Sequence, residues 1–470
     1  MARVLQISPI LSFVLLAFLC LPAGTASAQA IDSGELQRQL DIGVPKVLEK
    51  TRTPSVAIAV VLGGHIAVLK AYGNSHLDPR TPAKTDFRYA IGSISKQFTA
   101  AAMLLLQQDG KLTLDDPVAK FLPELPKASE VTIRELLSHT AGYRDDLPDN
   151  FVPPWMTKPT TPTEVLKRWA YKPPDFDPGT KFQYSNTDYV IAGLIIEKVA
   201  GMPLASFYED RIFRPLEMKS AATLDSVSSN VDVAGYVRYA LAPPRPAIAQ
   251  PSGWLFGGGE LVMTAEDLAK WDASLLNESL LNRASYRQLE TDTLLKNGSG
   301  TDYGLGLRLS YTGGHRKFEH AGEVAGFYAE NIQLPDDGDA VAVLTNLEMP
   351  TAAREIANDV IDFLLRDTEN IATAEVRVRR VLLGLRKGEI DRNQFTPDAN
   401  AYFDQQVLGD YAASLAKLGN ILSISASEPS RRAGERFVSF TVRFDSTTVL
   451  LSTAETPDGK FAQFLIQPLE

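Results

Sequence analysis

Two residues at the start of an apolar run have the types and spacing that nucleophilic catalysis needs. Ser93 and Lys96 lie three positions apart in GSISKQF, directly before TAAAMLLL. Residues three apart share one face of a helix, so the lysine amine can reach the serine hydroxyl. A hydroxyl of ordinary pKa is a poor nucleophile and needs a neighbouring base. The pattern therefore fits either a nucleophile with its proton partner, or an N-cap serine followed by a surface lysine.

The capping interpretation leaves the lysine unexplained, because the positive end of the helix dipole disfavours a cation in the first turn. The same helix start would favour an oxyanion forming at the serine, since backbone N–H groups point towards it. The spacing alone is weak evidence, because Ser414 and Lys417 repeat it. The elements that follow each pair therefore decide between them.

Two further elements follow Ser93 in order. Tyr184–Asn186 (YSN) begins an apolar segment, and His320–Gly322 (HAG) lies in a predicted strand, whereas no tyrosine follows Lys417. This order resembles the motifs of serine β-lactamases and penicillin-binding proteins. The surrounding text over roughly residues 35–367 is similar to β-lactamase-related serine hydrolases, which include class C β-lactamases, small DD-peptidases, D-aminopeptidases and esterases. The segments that carry this resemblance are LLSHTAGY, YSNTDYVIAGLIIEKVAG, FRPLEM, GGGELVMTAEDLAKW, YGLGL and HAGEVAGF.

The resemblance implies a role for each motif residue. Ser93 would be the nucleophile that becomes acylated, and Lys96 would share a proton relay with it. Tyr184 would be the base, although the division of work between lysine and tyrosine stays open. Asn186 would orient Lys96 and bind the substrate amide. From the residues alone, Tyr184 could instead be a core aromatic and Asn186 a helix N-cap.

The third motif departs from the family pattern, because His320 replaces the usual lysine. A lysine there offers a fixed charge to a substrate carboxylate, whereas histidine is mostly neutral at pH 7. The change weakens the case for an efficient β-lactamase, and His320 could also be an ordinary strand histidine. Gly322 would let the substrate backbone approach the strand. The resemblance places the oxyanion hole at the backbone N–H groups of Ser93 and Glu323, whose side chain could pair with an amine or face solvent.

These observations predict a serine hydrolase that forms an acyl-enzyme, acting on peptides or amides as D-aminopeptidases and DD-peptidases do. An esterase is the second reading, and a weak class C-like β-lactamase the third. A catalytically silent cell-wall or acyl-ligand binding module is the alternative from another class. A binder has no need of a base, so the intact serine, lysine and tyrosine favour an enzyme.

The elements that position these residues can be predicted from periodicity. Residues 53–73 form a hairpin turning at Gly63 and Gly64, and helices are expected near 33–50, 131–143, 184–202, 265–277 and 352–367. His139 is expected to be structural, at a helix end. Three antiparallel strands are expected in YGLGLRLSY, KFEHAGEVAGFYAENIQL and GDAVAVLTNL.

The predicted fold is α/β (α+β layered): an antiparallel sheet flanked by helices, beside an all-helical lobe. Residues 144–182 form a long excursion of the kind that lines binding sites.

The N-terminus predicts a secretory signal peptide. Arg3 precedes the apolar stretch ILSFVLLAFLCLP, and Ala26–Ala28 has the A-x-A cleavage pattern. The stretch is too short to span a membrane. Cleavage after Ala28 predicts a secreted or periplasmic protein with no transmembrane helix. Cys20 suggests a lipoprotein alternative, but Leu19 stands where a small residue is expected.

The chain is predicted to have a signal peptide at 1–28, a hydrolase domain at 29–369 and a small α+β accessory domain at 370–470. That tail is predicted to contain helices over 375–420 and three strands.

The net charge of −10 disfavours nucleic acid and anionic membranes as partners. The histidine spacing predicts no metal site, and no cofactor is expected. The expected partner is a small peptide, ester or lactam, and the composition sets no oligomeric state.

Overall fold

The computed structural model describes residues 33–145, 152–227, 232–249, 251–312, 314–365, 371–427, 430–432, 435–456 and 459–469. The predicted signal peptide, residues 1–28, lies outside them. Residues 366–370, where the domain boundary was predicted, also lie outside the described part of the chain.

The strands in chain order are β1 (Ser55–Leu62), β2 (His65–Leu77), β3 (Arg80–Pro82), β4 (Tyr89–Ala90), β5 (Ala222–Thr223), β6 (Tyr236–Val237), β7 (Arg245–Pro246), β8 (Leu261–Met263), β9 (Arg308–Thr312), β10 (His315–Val324), β11 (Phe327–Leu334), β12 (Asp339–Thr345), β13 (Ile421–Ala426), β14 (Ser430–Arg432), β15 (Glu435–Phe444), β16 (Thr448–Glu455) and β17 (Phe461–Pro468).

The α-helices are α1 (Ser33–Thr51), α2 (Ser95–Gln108), α3 (Ile133–Leu137), α4 (Pro162–Arg168), α5 (Asn186–Ala200), α6 (Leu204–Tyr208), α7 (Leu224–Val227), α8 (Ala265–Leu276), α9 (Arg283–Leu289), α10 (Pro350–Leu364), α11 (Ile371–Leu385), α12 (Pro397–Tyr402) and α13 (Gln405–Ala416). None of these helices is by itself long and apolar enough to cross a bilayer. Only the pair formed by α5 and the segment Leu204–Phe213 has the required length and composition, and the two are bent by 75° relative to each other.

The main sheet has seven strands in the order β3-β2-β1-β12-β11-β10-β9, with antiparallel neighbours throughout. Strand β1 pairs with β12 from Val56 opposite Thr345 to Val61 opposite Ala340. Both strands are apolar on both faces, as expected where helices cover the two sides of a sheet. The predicted layered fold, an antiparallel sheet flanked by helices, is confirmed.

The predicted strand count was wrong. KFEHAGEVAGFYAENIQL is not one strand but the hairpin β10–β11, which turns at Ala325 and Gly326. Gly326 has φ +86°, a conformation that side chains with a Cβ rarely adopt. The alternating pattern continues on both sides of this turn, so periodicity did not show it.

The second predicted helix, 131–143, is also shorter than expected. A capping box between Thr132 and Glu135 begins α3, and the helix ends at Leu137. His139 then takes φ +59° and turns the chain away from the helix axis. The residues that follow are therefore free to run beside the start of α5.

Strand β10 is only partly paired on the side of β9. The pairing runs from His315 opposite Thr312 to Glu319 opposite Arg308. Residues 320–324 extend beyond it and lie against the 3₁₀ turn Gly92–Ile94 that leads into α2. The sheet edge and the helical lobe therefore meet at the predicted motifs.

The described part of the tail has its own hydrophobic core, formed by residues of α11–α13 and of the five-stranded sheet β13-β15-β16-β17 with β14 beside β15. Strands β13 and β14 add to the three predicted. This core and the main core both lie in one compact unit that runs from Asp32 to Glu470. The accessory-domain assignment stays a prediction.

Candidate active site

Ser93 lies in the 3₁₀ turn before α2, not at the N-cap of the helix. The N-cap is Ile94, which makes no side-chain capping bond. The capping interpretation of Ser93 was therefore wrong, although the helix start does place the residue. Ser93 is partly exposed, whereas Lys96, one turn later, is completely buried. A buried lysine needs polar partners to offset the loss of solvent.

Lys96 bonds to oxygen atoms from three segments of the chain. Its Nζ donates to Ser93 Oγ at 3.0 Å, to Asn186 Oδ1 at 2.8 Å and to the carbonyl oxygen of Gly258 at 2.7 Å. The structure thus joins the serine–lysine motif to the YSN motif, and adds the glycine-rich segment before β8.

This arrangement suits an amine that exchanges a proton with Ser93. Asn186 Oδ1 and the Gly258 carbonyl can only accept, so they hold two N–H groups in either charge state of the amine. The remaining position of Nζ faces Ser93. It carries an N–H when Lys96 is an ammonium and a lone pair when the amine is neutral, and that lone pair can take the hydroxyl proton.

Tyr184 lies against the same amine. Lys96 Nζ is 4.8 Å from the centroid of the Tyr184 ring. The Tyr184 ring also packs against the imidazole of His139, and the two ring centroids lie 4.3 Å apart. His139 Nδ1 also accepts from the backbone N–H of Ser185 at 3.2 Å. His139 therefore contacts the site, beyond the role at a helix end that its sequence position indicated.

The helix that starts in the YSN motif is capped by Ser185, whose side chain accepts from the N–H of Asp188. The N-cap reading of Asn186 was therefore wrong. Asn186 is the first residue of α5, and its side chain bonds to Lys96 and to Asp145.

His320 is buried on β10 with both ring nitrogens bonded. Nδ1 lies 2.6 Å from the carbonyl oxygen of Ala321, and Nε2 lies 3.0 Å from the hydroxyl of Tyr303. Since a carbonyl only accepts, Nδ1 carries the proton and Nε2 of the neutral ring accepts from Tyr303. Burial, followed by the charge of Lys96, lowers the pKa of His320 to about 3. The side chain is therefore neutral at pH 7.

The backbone of β10 approaches the 3₁₀ turn closely at two glycines. A Cβ at Gly322 would overlap the carbonyl oxygen of Ile91 and would lie 3.1 Å from Ser93 N. A Cβ at Gly92, where φ is +50°, would lie 2.7 Å from Glu323 N. The two N–H groups predicted to form an oxyanion hole therefore stand on adjoining backbone segments.

A cavity of about 820 Å³ opens in front of Ser93, Tyr184, Asn186 and His320. Residues of the long excursion contribute to its wall, as expected for 144–182; they are Val152 and Met156, beside Trp254 and Leu255. Helix α4, which the sequence did not predict, lies in the same excursion.

Some of the charged side chains that line this cavity form ion pairs, whereas Arg308 forms none with the described residues. Lys317 pairs with Glu319 at 2.8 Å, and Arg354 lies 3.5 Å from Glu330. Arg308 is exposed on β9, and within the described residues its guanidinium has no hydrogen bond or ion pair. Its charge contributes, after burial and Lys96, to the lowered pKa of His320. Glu323 is exposed and lines the cavity.

The second serine–lysine pair has no such surroundings. Ser414 is exposed near the end of α13, and its hydroxyl donates to the carbonyl oxygen of Asp410 at 2.7 Å. Lys417 is the exposed C-cap residue of that helix. Elsewhere in the described chain, no group of three or more His, Cys, Asp or Glu residues is arranged to hold a metal ion.

Several site residues were not predicted: Gly258, Asp145, Tyr303 and Arg308. The triple glycine GGGE was a visible signal for Gly258, and the family-like segment YGLGL begins at Tyr303 and ends directly before Arg308. Asp145 had no local signal, because its partner Asn186 lies 41 positions away.

The beta-lactamase family model matches residues 41–366, which include every site residue described above. The chain therefore belongs to the beta-lactamase family, and the predicted relationship to β-lactamase-related serine hydrolases is confirmed. The fold and the family are those of a serine hydrolase.

Among named relatives, the D-aminopeptidase of Brucella canis is 27% identical over 313 residues, which are 66% of this chain and 59% of that protein. The match thus spans less than two thirds of that relative. A D-stereospecific amidohydrolase from a Streptomyces species is 26% identical, with a TM-score of 0.58 over 67% of this chain and 97% of its own. The octameric penicillin-binding protein homologue from Pyrococcus abyssi shares the fold at 22% identity, with a TM-score of 0.62 over 93% of this chain and 96% of its own.

Proposed function

We propose that the protein is an exported serine hydrolase that acts on peptide or amide bonds through an acyl-enzyme on Ser93. The observation that carries the proposal is the position of Lys96 Nζ, bonded at once to Ser93, Asn186 and the Gly258 carbonyl. Relatives named D-aminopeptidase and D-stereospecific amidohydrolase support an amide substrate, including one with D-residues.

The reaction runs in two steps. Ser93 Oγ attacks the substrate carbonyl while its proton passes to Lys96, with Tyr184 next to the same amine. The carbon–nitrogen bond then breaks, the proton goes to the leaving amine, and Ser93 holds the acyl group as an ester. Water attacks that ester by the reverse proton path, which releases a carboxylic acid and restores the hydroxyl.

The backbone supplies the remaining parts. The N–H groups of Ser93 and Glu323 would stabilise the oxyanion of each tetrahedral intermediate. Residues 320–324 of β10 extend beyond the described pairing with β9, and their main-chain groups would bind a substrate in extended conformation.

Arg308 favours a substrate whose leaving group bears a carboxylate, as DD-peptidase substrates and β-lactams do. His320 is neutral and offers no charge, whereas Arg308 brings a guanidinium into the cavity beside it. Arginine binds carboxylates with two parallel hydrogen bonds. A D-aminopeptidase would instead need to bind a substrate amine, for which Glu323 is the nearest candidate along the strand.

The two substrate classes can be separated directly. N-acyl-D-Ala-D-Ala, the same peptide with a C-terminal amide, a D-amino acid amide and a simple ester are compared with wild type, Arg308→Gln and Lys317→Gln. We expect kcat/KM for the free-acid peptide to fall roughly 10- to 100-fold in Arg308→Gln, the worth of a charged hydrogen bond. The amide-capped peptide and Lys317→Gln, whose lysine already has a partner, should change little. Preferred turnover of the D-amino acid amide, unaffected by Arg308→Gln, would instead favour the aminopeptidase reading.

Export rests on the signal-peptide pattern alone. Purification from the producing cell, followed by intact mass, should give a chain beginning at Gln29. A chain retaining residues 1–28 would contradict the proposed export.

A further inference from the structure

The turn that follows α3 lies against the YSN motif along several residues. The N–H of Gln183 donates to the carbonyl oxygen of His139 at 3.0 Å, and Gly179 N donates to Thr140 O at 2.8 Å. This turn ends at Asp145, the last described residue before position 152. The position of the YSN motif is therefore set by contacts with a segment that is about 40 residues distant in sequence.

Asp145 makes the most specific of these contacts. Its Oδ2 accepts from the backbone N–H of Asn186 at 2.6 Å and from Asn186 Nδ2 at 3.0 Å, and its Oδ1 accepts from Thr187 Oγ1 at 3.3 Å. The carboxylate thus occupies the N-terminus of α5, where the helix dipole favours a negative charge.

These bonds decide which way the Asn186 amide faces. A carboxylate accepts hydrogen bonds and donates none, so the amide NH₂ of Asn186 turns towards Asp145. The amide oxygen then turns towards Lys96, where it lies 2.8 Å from Nζ. Rotating the amide by half a turn would point N–H groups at the lysine amine, which has N–H groups of its own there.

We propose that Asp145 is a positioning residue for the reaction, acting through Asn186 to hold Lys96 in line with Ser93. The role rests on the proposed function. It gives Lys96 an acceptor-only partner in both charge states, so that Nζ keeps its contact with the Ser93 hydroxyl. Asp145 acts on Lys96 through Asn186, whose side chain is bonded to both residues.

The test measures the rate of Ser93 labelling by a fluorophosphonate, and kcat and KM for the preferred substrate. Asp145→Ala removes the acceptor, and we expect labelling and kcat to fall roughly 10- to 100-fold, as losses of supporting contacts commonly do, with KM changed less than about threefold. Asp145→Asn keeps one oxygen for the Asn186 N–H groups and should stay within about threefold of wild type.

A double-mutant cycle separates this role from a merely structural one. In an Asn186→Ala background, Asp145→Ala should cause little further loss, because residues acting through one another are not additive. A full additional loss, or wild-type labelling by Asp145→Ala, would overturn the positioning role while leaving the acyl-enzyme intact. If Asp145→Ala does not fold, the test rests on Asp145→Asn. A labelling rate well below that of wild type, with an unchanged melting temperature, would then also overturn the positioning role. No adduct on Ser93 of the wild type would overturn the proposed function and this role together.

Discussion

Lys96 Nζ lies 3.0 Å from Ser93 Oγ although the lysine side chain is completely buried. A solvated first-turn lysine would have no reason to turn inwards, so the pair is the centre of the site. Its partners Asn186 and Gly258 come from two other segments of the chain. Replacing Lys96 is therefore the sharpest test of proton transfer from Ser93.

Lys96→Met keeps the length of the side chain and removes the amine. We expect kcat to fall by about 10³ or more, because an adjacent base contributes roughly 10²–10⁴ and Ser93 would also lose its hydrogen-bond partner. The melting temperature should also fall, because Asn186 Oδ1 and the Gly258 carbonyl oxygen lose the donor that Lys96 supplies to them. Retention of a tenth of the wild-type kcat would contradict a role for Lys96 in proton transfer.

Tyr184→Phe tests the hydroxyl apart from the ring. The stacking on His139 and the contact with Lys96 involve the ring face and should survive. If the hydroxyl transfers protons, kcat should fall by about 10²–10⁴ with a modest change in KM. The matched control is Tyr303→Phe, which removes a hydroxyl bonded to His320 rather than one next to Lys96. An equal, small effect of both substitutions would leave Lys96 as the sole base.

His320 should show its buried state in the pH dependence of stability. Its pKa is lowered to about 3, by burial first and then by the charge of Lys96. Below about pH 6.5 His320 binds a proton in the unfolded chain but stays neutral in the folded chain. The free energy of unfolding therefore falls as pH decreases towards 3. His320→Gln should reduce the slope of unfolding free energy against pH by up to about 1.4 kcal/mol per pH unit between pH 4 and 6.

The same substitution has a catalytic readout. Because the ring is neutral across pH 5–8, kcat for His320→Gln should follow the wild-type pH profile, even if its magnitude changes. His320→Lys introduces a charge and serves as the contrasting variant. A limb near pH 6–7 that is present in wild type and lost in His320→Gln would show that the histidine titrates during turnover.

Gly322→Ala tests the close approach of β10 to the nucleophile turn. The added Cβ would overlap the backbone carbonyl of Ile91, which cannot move aside as a flexible side chain would. We expect Ser93 labelling to be lost and the melting temperature to fall. Gly409→Ala is a control for loss of a glycine, because a Cβ there meets nothing within 4 Å and the residue lies inside helix α13. Normal labelling of Gly322→Ala would show that β10 does not shape the oxyanion site.

The sequence could predict the site as far as local motifs reach. Ser93, Lys96, Tyr184 and Asn186 were recognisable because short fixed spacings and chain order identify them. Asp145 and the Gly258 carbonyl were not, since their importance arises only when distant segments meet in the fold. Arg308 directly follows the YGLGL segment, but its position beside His320 arises only from the pairing of β9 with β10.

The fold was predictable where periodicity is strong and uninterrupted. The hairpin β1–β2 and the helices α8 and α10 lie close to their expected bounds. The errors fall at turns that carry little composition signal, such as the β10–β11 turn and the left-handed conformation of His139. Helix α4 does carry a local signal, with Thr161 as its N-cap and Pro162 at its first position.

The most direct test of the account is the intact mass of the protein after incubation with a fluorophosphonate probe and with labelled penicillin. Wild type, Ser93→Ala and Ser414→Ala are compared, the last because Ser414 repeats the serine–lysine spacing. The account predicts a single fluorophosphonate adduct on wild type and on Ser414→Ala, mapped to Ser93, and none on Ser93→Ala. Penicillin should give at most a slower adduct at the same residue. Absence of any adduct on wild type, or an adduct that persists in Ser93→Ala, would contradict an acyl-enzyme on Ser93.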